Sequence, residues 1–110
     1  MSGWFELSKS SDGQYHFVLK AANAETILAS ELYKRRDSAE AGIASVQANC
    51  ANDALYERKT ATNGKFHFNL KATNGQVIGT SELYETERSR DAGIESVKRN
   101  GSTTTVKDKI

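Results

Sequence analysis

The chain has two histidines, His16 and His67, and they stand in matching phrases: GQYHFVLKAANA at 13–24 and GKFHFNLKATNG at 64–75. Each is followed four positions later by a lysine, Lys20 or Lys71, and preceded ten positions earlier by a glutamate, Glu6 or Glu57. Imidazole and carboxylate are divalent-metal ligands, so His16/His67 with Glu6/Glu57, gathered about a symmetry axis, would make a metal or small-ligand site. The plainer use of the same residues is cross-strand contact on a half-exposed sheet. Tyr33 and Tyr84, each closing a SELY tetrad, suit either a ligand site or the rim of a core with the hydroxyl in water. Cys50 has Gly101 in its place 51 residues on, which argues for a small buried residue and against a symmetric catalytic one.

No other chemistry is spelled out. There is no His-x-x-x-His or Cys-x-x-Cys spacing, no nucleophile elbow, no phosphate-binding loop and no dinucleotide fingerprint. An enzyme is therefore not expected, and no catalytic residue, cofactor or resident metal is assigned.

The elements that must hold these residues follow from a duplication. Residues 5–50 and 56–101 align without a gap, with 20 of 46 positions identical. In each copy FELSKS or its counterpart reads as a strand, then SDG or TNG as a hairpin turn. YHFVLK and FHFNLK alternate, so Tyr15, Phe17 and Leu19 share one face while His16, Val18 and Lys20 take the other. A second turn follows. Copy two supplies Gly75 for it, whereas copy one has Ala24, so either Asn23 is the left-handed residue there or the turn is of a different type.

A third strand leads to an amphipathic helix, opened by Asp37 or Ser38 in copy one, with Ala39, Ile43, Val46 and Cys50 as its apolar stripe. Gly42 and Gly93 sit in mid-helix, where glycine is costly, and imply a close approach of that backbone to its neighbour. STTTVKDKI at the end favours a last strand, and residues 53–61 are expected to close copy one and open copy two.

A unit of about 50 residues buries too little surface to stand alone. The two copies are thus expected to share one core about an internal pseudo-twofold axis, as a fused homodimer would. The expectation is one domain, 1–110, of α+β class: two β-β-β-α-β repeats, about 4–52 and 55–110. They form one continuous antiparallel sheet with two helices on one face.

These landmarks closely resemble those of the YegP-like bacterial proteins of unknown function. GWFELSKSSDGQYHFVLKA, SELY followed by a GI-x-SV helix, and a second such copy carry the resemblance across essentially the whole chain. It implies a tandem β(3)-α-β fold whose copies form a single sheet and exchange their C-terminal strands. It implies no active site.

Charge and composition narrow the function classes. A formal net charge of +1 gives no general attraction to nucleic acid or anionic membrane. The aromatics of the alternating strands are assigned to the core, which leaves Trp4 as the one exposed ring for stacking a base. Weak nucleic-acid binding is accordingly a disfavoured alternative. The single cysteine requires no oxidising compartment, and no stretch has the length of a membrane span, so a cytoplasmic monomer is expected. Pairing between chains through an exposed edge strand is the one route beyond that. The leading expectation is a non-enzymatic module that binds a protein or small ligand on the helix-free sheet face through Glu6, His16, Lys20, Glu57, His67 and Lys71.

Overall fold

The computed structural model describes residues 3–110, and in them the duplication is a symmetry of the fold. Copy one forms β1 (Trp4–Lys9), β2 (Tyr15–Lys20), β3 (Thr26–Ser30) and α1 (Arg36–Asn49). Copy two forms β4 (Tyr56–Thr60), β5 (Phe66–Lys71), β6 (Val77–Thr80), α2 (Glu87–Asn100) and β7 (Val106–Asp108). The seven strands make one sheet in the order β4-β5-β6-β3-β2-β1-β7. The pseudo-twofold axis passes between β3 and β6, which pair antiparallel through Ala29↔Thr80 and Ser30↔Gly79.

The sheet is antiparallel across six strands. The seventh departs from the all-antiparallel expectation, because β7 crosses from copy two and joins β1 in parallel. The crossing is single. In copy one the residues equivalent to β7 are 55–57, the last residue of a 3₁₀ turn at Asp53–Leu55 and the first two of β4. One segment cannot be both a first strand and its neighbour, so residues 53–61 open copy two without closing copy one.

Alternation then sorts the side chains. Phe5, Leu7, Phe17, Leu19, Phe68 and Leu70 are fully buried beneath the helices with Ile94, Val46 and Val97. Phe17 lies edge-on to Phe5 and stacks on Tyr33, and Phe68 repeats the arrangement with Tyr56 and Tyr84.

Tyr33 and Tyr15 exchange two backbone hydrogen bonds of 2.7 Å, and Tyr84 is joined to Phe66 in the same way. That tether leaves only Lys34 and Arg35 before α1. The helix therefore starts at Arg36, ahead of the expected Asp37 or Ser38, and its N-cap Arg35 makes no side-chain cap. In copy two Thr86 caps α2 through the Ser89 amide.

The mid-helix glycines face these tyrosines. A Cβ on Gly42 would lie 2.7 Å from Tyr33 Oη, and one on Gly93 would lie 2.8 Å from Tyr84 Cζ. Across the axis, equivalent residues meet directly, and there the copies differ in size. Gly79 makes room for Leu28, its counterpart, and Gly101 makes room for Cys50.

Candidate functional site

The helix-free face is built by the alternate positions of the strands. Glu6, His16, Val18 and Lys20 come from copy one, Glu57, Lys59, His67, Asn69 and Lys71 from copy two, and Lys107 from β7. Small residues occupy its middle, where Val18, Ala29, Thr80 and Asn69 follow one another across four strands.

The expected gathering of Glu6, Glu57, His16 and His67 about the axis does not occur. Glu6 and Glu57 lie on β1 and β4, five strand spacings apart, or about 24 Å. His16 and His67 lie on β2 and β5, three spacings or about 14 Å apart before their offset along the strands is added. The physical reason is that the axis falls between the third strands, so first and second strands are carried outward. Among the described residues no group of three His, Cys, Asp or Glu side chains is placed to hold a metal ion. The six candidate residues form two separate sets, one in each repeat.

The two sets differ in detail. Glu57 Oε1 accepts from Asn69 Nδ2 at 3.1 Å and Glu57 Oε2 from Lys71 Nζ at 3.1 Å. Thr80 completes the network by donating to Asn69 Oδ1 at 2.8 Å. These hydrogen bonds hold the Glu57 carboxyl below its usual pKa. In the other repeat Val18 replaces Asn69, and Glu6 Oε2 instead accepts from Trp4 Nε1 at 2.9 Å. That bond, with Lys20 and other lysines nearby, lowers the Glu6 pKa against the opposing effect of burial.

Lys107 Nζ sits 4.2 Å from the centroid of the Trp4 ring. The ring is therefore half-buried and already stacked, not the open platform that base stacking would need. Sequence reading missed Lys107 because only the crossing of β7 brings it to Trp4.

Both histidines have Nδ1 buried without a hydrogen-bond partner. The two rings stand on β2 and β5, one strand or more inside each edge of the sheet. On the helix side lies a shallow groove of about 250 Å³ that sequence reading also missed. It runs between α1 and the β5–β6 hairpin, past Tyr33, Ser38, Gln76 and Val77. Burial and the nearby Glu31 raise the Tyr33 pKa.

With this geometry in view, the relationships of the chain are informative. A family model described as a domain of unknown function, DUF1508, matches the chain twice, over residues 10–57 and 61–108. The chain belongs to that family. Both DUF1508 matches keep the 51-residue spacing of the repeat. The UPF0339 protein of Acinetobacter baylyi is 67% identical over 108 residues, 98% of this chain and 97% of that protein.

The solution NMR structure of YegP from Escherichia coli, titled a protein of unknown function, superposes with a TM-score of 0.95 at 63% identity. That superposition covers 99% of this chain and 94% of the other. A UPF0339 protein of Shewanella oneidensis, also solved by NMR, gives 0.93 at 56% identity, covering 98% and 92%. The expected YegP-like membership and tandem α+β fold therefore hold. None of these names carries an activity. No helix among the described residues is long and apolar enough to cross a membrane.

Proposed function

We propose that this DUF1508 chain is a cytoplasmic, non-enzymatic binding module that presents the helix-free face of its sheet to a protein or small ligand. One observation carries the reading. The Glu–His–Lys set is identical in both copies although none of the six side chains contributes to the hydrophobic core. Core packing accounts for the shared Phe and Leu positions on the same strands but places no demand on these.

The face is rigid, because its strands are paired on both sides except at the ends of the sheet, and it is mildly cationic. Lys20, Lys59, Lys71 and Lys107 outnumber Glu6 and Glu57, with Lys71 and Lys59 beside Glu57. The two sets, far apart and related by a pseudo-twofold axis, suit a partner that touches both ends of the face. They do not suit a small ion held between them.

The test compares proteins and metabolites retained from lysate by the wild type and by His16→Ala/His67→Ala, quantified by mass spectrometry. The expected result is a defined set retained by the wild type and lost from the double variant. Identical sets, or no retained species, would overturn the use of this face. Thermal-shift measurements with divalent cations should show no stabilisation, and a clear shift abolished by the same double variant would favour a metal protein instead.

A further inference from the structure

The two first strands of the repeats are equivalent by symmetry but differently occupied. β7 covers the outer edge of β1, whereas β4 ends the sheet, and no described residue pairs with its outer edge. The backbone of β4 is nonetheless set up for a neighbour. Phe68 gives its N–H to Ser81 Oγ and takes the Ser81 N–H on its carbonyl, and Phe66 exchanges both backbone bonds with Tyr84. Both residues thus turn away from β4, which leaves their partners Arg58 and Thr60 with backbone groups aimed outward.

On β1 the equivalent groups are in use. Phe5 N–H donates to the Thr105 carbonyl at 2.9 Å, and Lys109 N–H donates to the Leu7 carbonyl at 2.8 Å. On β4 the Tyr56 N–H is taken by the Asp53 carbonyl. The Tyr56 carbonyl and the N–H and carbonyl groups of Arg58 and Thr60 remain.

The occupied edge shows what kind of strand fits the vacant one. On β1, Val106 lies opposite Phe5, Lys107 opposite Glu6 and Asp108 opposite Leu7. Moved by the repeat spacing, these places face Tyr56, Glu57 and Arg58, and the next faces Lys59. The Arg58 charge is already taken by Asp91 and Asp53, so complementarity asks for an apolar residue at the first place, a base at the second and an acid at the fourth. The chain's own tail, Val106-Lys107-Asp108-Lys109, meets the first two and fails at the last, where lysine would face lysine.

We propose that the outer edge of β4 docks an extended partner segment of the pattern apolar–basic–any–acidic, bound parallel to β4 as an eighth strand. The buried Leu7 of β1 is replaced here by Arg58, paired with Asp91 at 3.2 Å and Asp53 at 3.6 Å. Charged side chains keep an empty edge compatible with water and suppress indiscriminate pairing, and backbone bonds with charge matching then supply affinity and selectivity. This site does not depend on the sheet-face reading.

The experiment titrates the isotope-labelled full-length protein with the peptide STTTVKDEI and follows backbone amides by NMR. Shifts are expected at residues 56–60. Affinity for STTTVKDKI should be about tenfold weaker, from the like charges at one position. Lys59→Glu should weaken STTTVKDEI and reverse the preference in favour of STTTVKDKI, while an unchanged amide pattern elsewhere establishes that it folds. No shift at 56–60 in millimolar peptide, equal affinity for the two peptides, or shifts on β1 from displacement of β7 would each overturn the proposal. So would concentration-dependent shifts at 56–60 without peptide, which would assign the edge to a second copy of the chain.

Discussion

The turn after β2 holds an alanine in a glycine's conformation. Ala24 has φ of 72°, where its counterpart Gly75 has 87°, and the transfer of this role to Asn23, one of the two expectations, does not occur. The Asn23 side chain instead accepts the Glu25 amide at 3.1 Å, as Asn74 does for Gln76. The asparagine is thereby committed to a local turn that forces the next residue left-handed. That conformation costs an L-residue about 1–2 kcal/mol, and the extra freedom of glycine when unfolded offsets about half of it. Ala24→Gly should therefore stabilise the protein by about 0.5–1 kcal/mol in urea denaturation, with Gly75→Ala acting in the opposite sense. A lower midpoint for Ala24→Gly would contradict this account of the turn.

At the scale of elements, each helix is placed by a tyrosine and a glycine together. SELY supplies the serine whose Oγ accepts the amide of Phe17 or Phe68, then the tyrosine bridged back to Tyr15 or Phe66. The ring then lies against Gly42 or Gly93. Tyr33 and Tyr84 are thus rim residues of the core in each copy, and the glycine's propensity cost buys the close packing of helix on ring.

Gly93→Ala would gain about 1 kcal/mol in helix propensity and lose more to overpacking against Tyr84 and Phe68, which typically costs about 1–3 kcal/mol. A net loss of up to about 2 kcal/mol is expected by thermal or urea unfolding. Because the closest clash is with the Tyr84 ring, Gly93→Ala and Tyr84→Leu combined should cost less than the sum of the two singles. Strict additivity would remove the ring from the explanation.

For the molecule as a whole, the pseudo-twofold axis decides where the copies must differ. A residue on or near such an axis meets its own counterpart, and two large side chains cannot fill one space. Leu28 with Gly79 and Cys50 with Gly101 are the resulting large–small pairs. This gives Cys50 a structural cause: it fills the meeting point of the helix ends, where burial raises its thiol pKa.

Restoring symmetry with Gly79→Leu should cost about 1–3 kcal/mol through overpacking. Leu28→Gly alone should cost at least as much as a cavity of that size does, about 2–5 kcal/mol. The exchanged pair Leu28→Gly/Gly79→Leu should be more stable than either single, measured by chemical denaturation. A double variant less stable than both would show that the two positions are not equivalent about the axis.

The repeat, the hairpins, the strand faces and the helix stripe were all legible in the chain, because each follows from local turn chemistry and from periods of two and 3.6 residues. Leu19, Phe17, Ile43 and Val46 fell on the core side as their spacing required. The sequence by itself therefore determined the repeating unit and the side of the sheet on which each residue lies. Tertiary structure alone decided which strands meet: the axis between β3 and β6, the parallel crossing of β7, the open edge of β4. Those decisions separated Glu6 from Glu57 and His16 from His67, and brought Lys107 onto Trp4. The physical reason is that strand order depends on how two copies close one core. That closure is a property of contacts distant in sequence, and no local spacing encodes it.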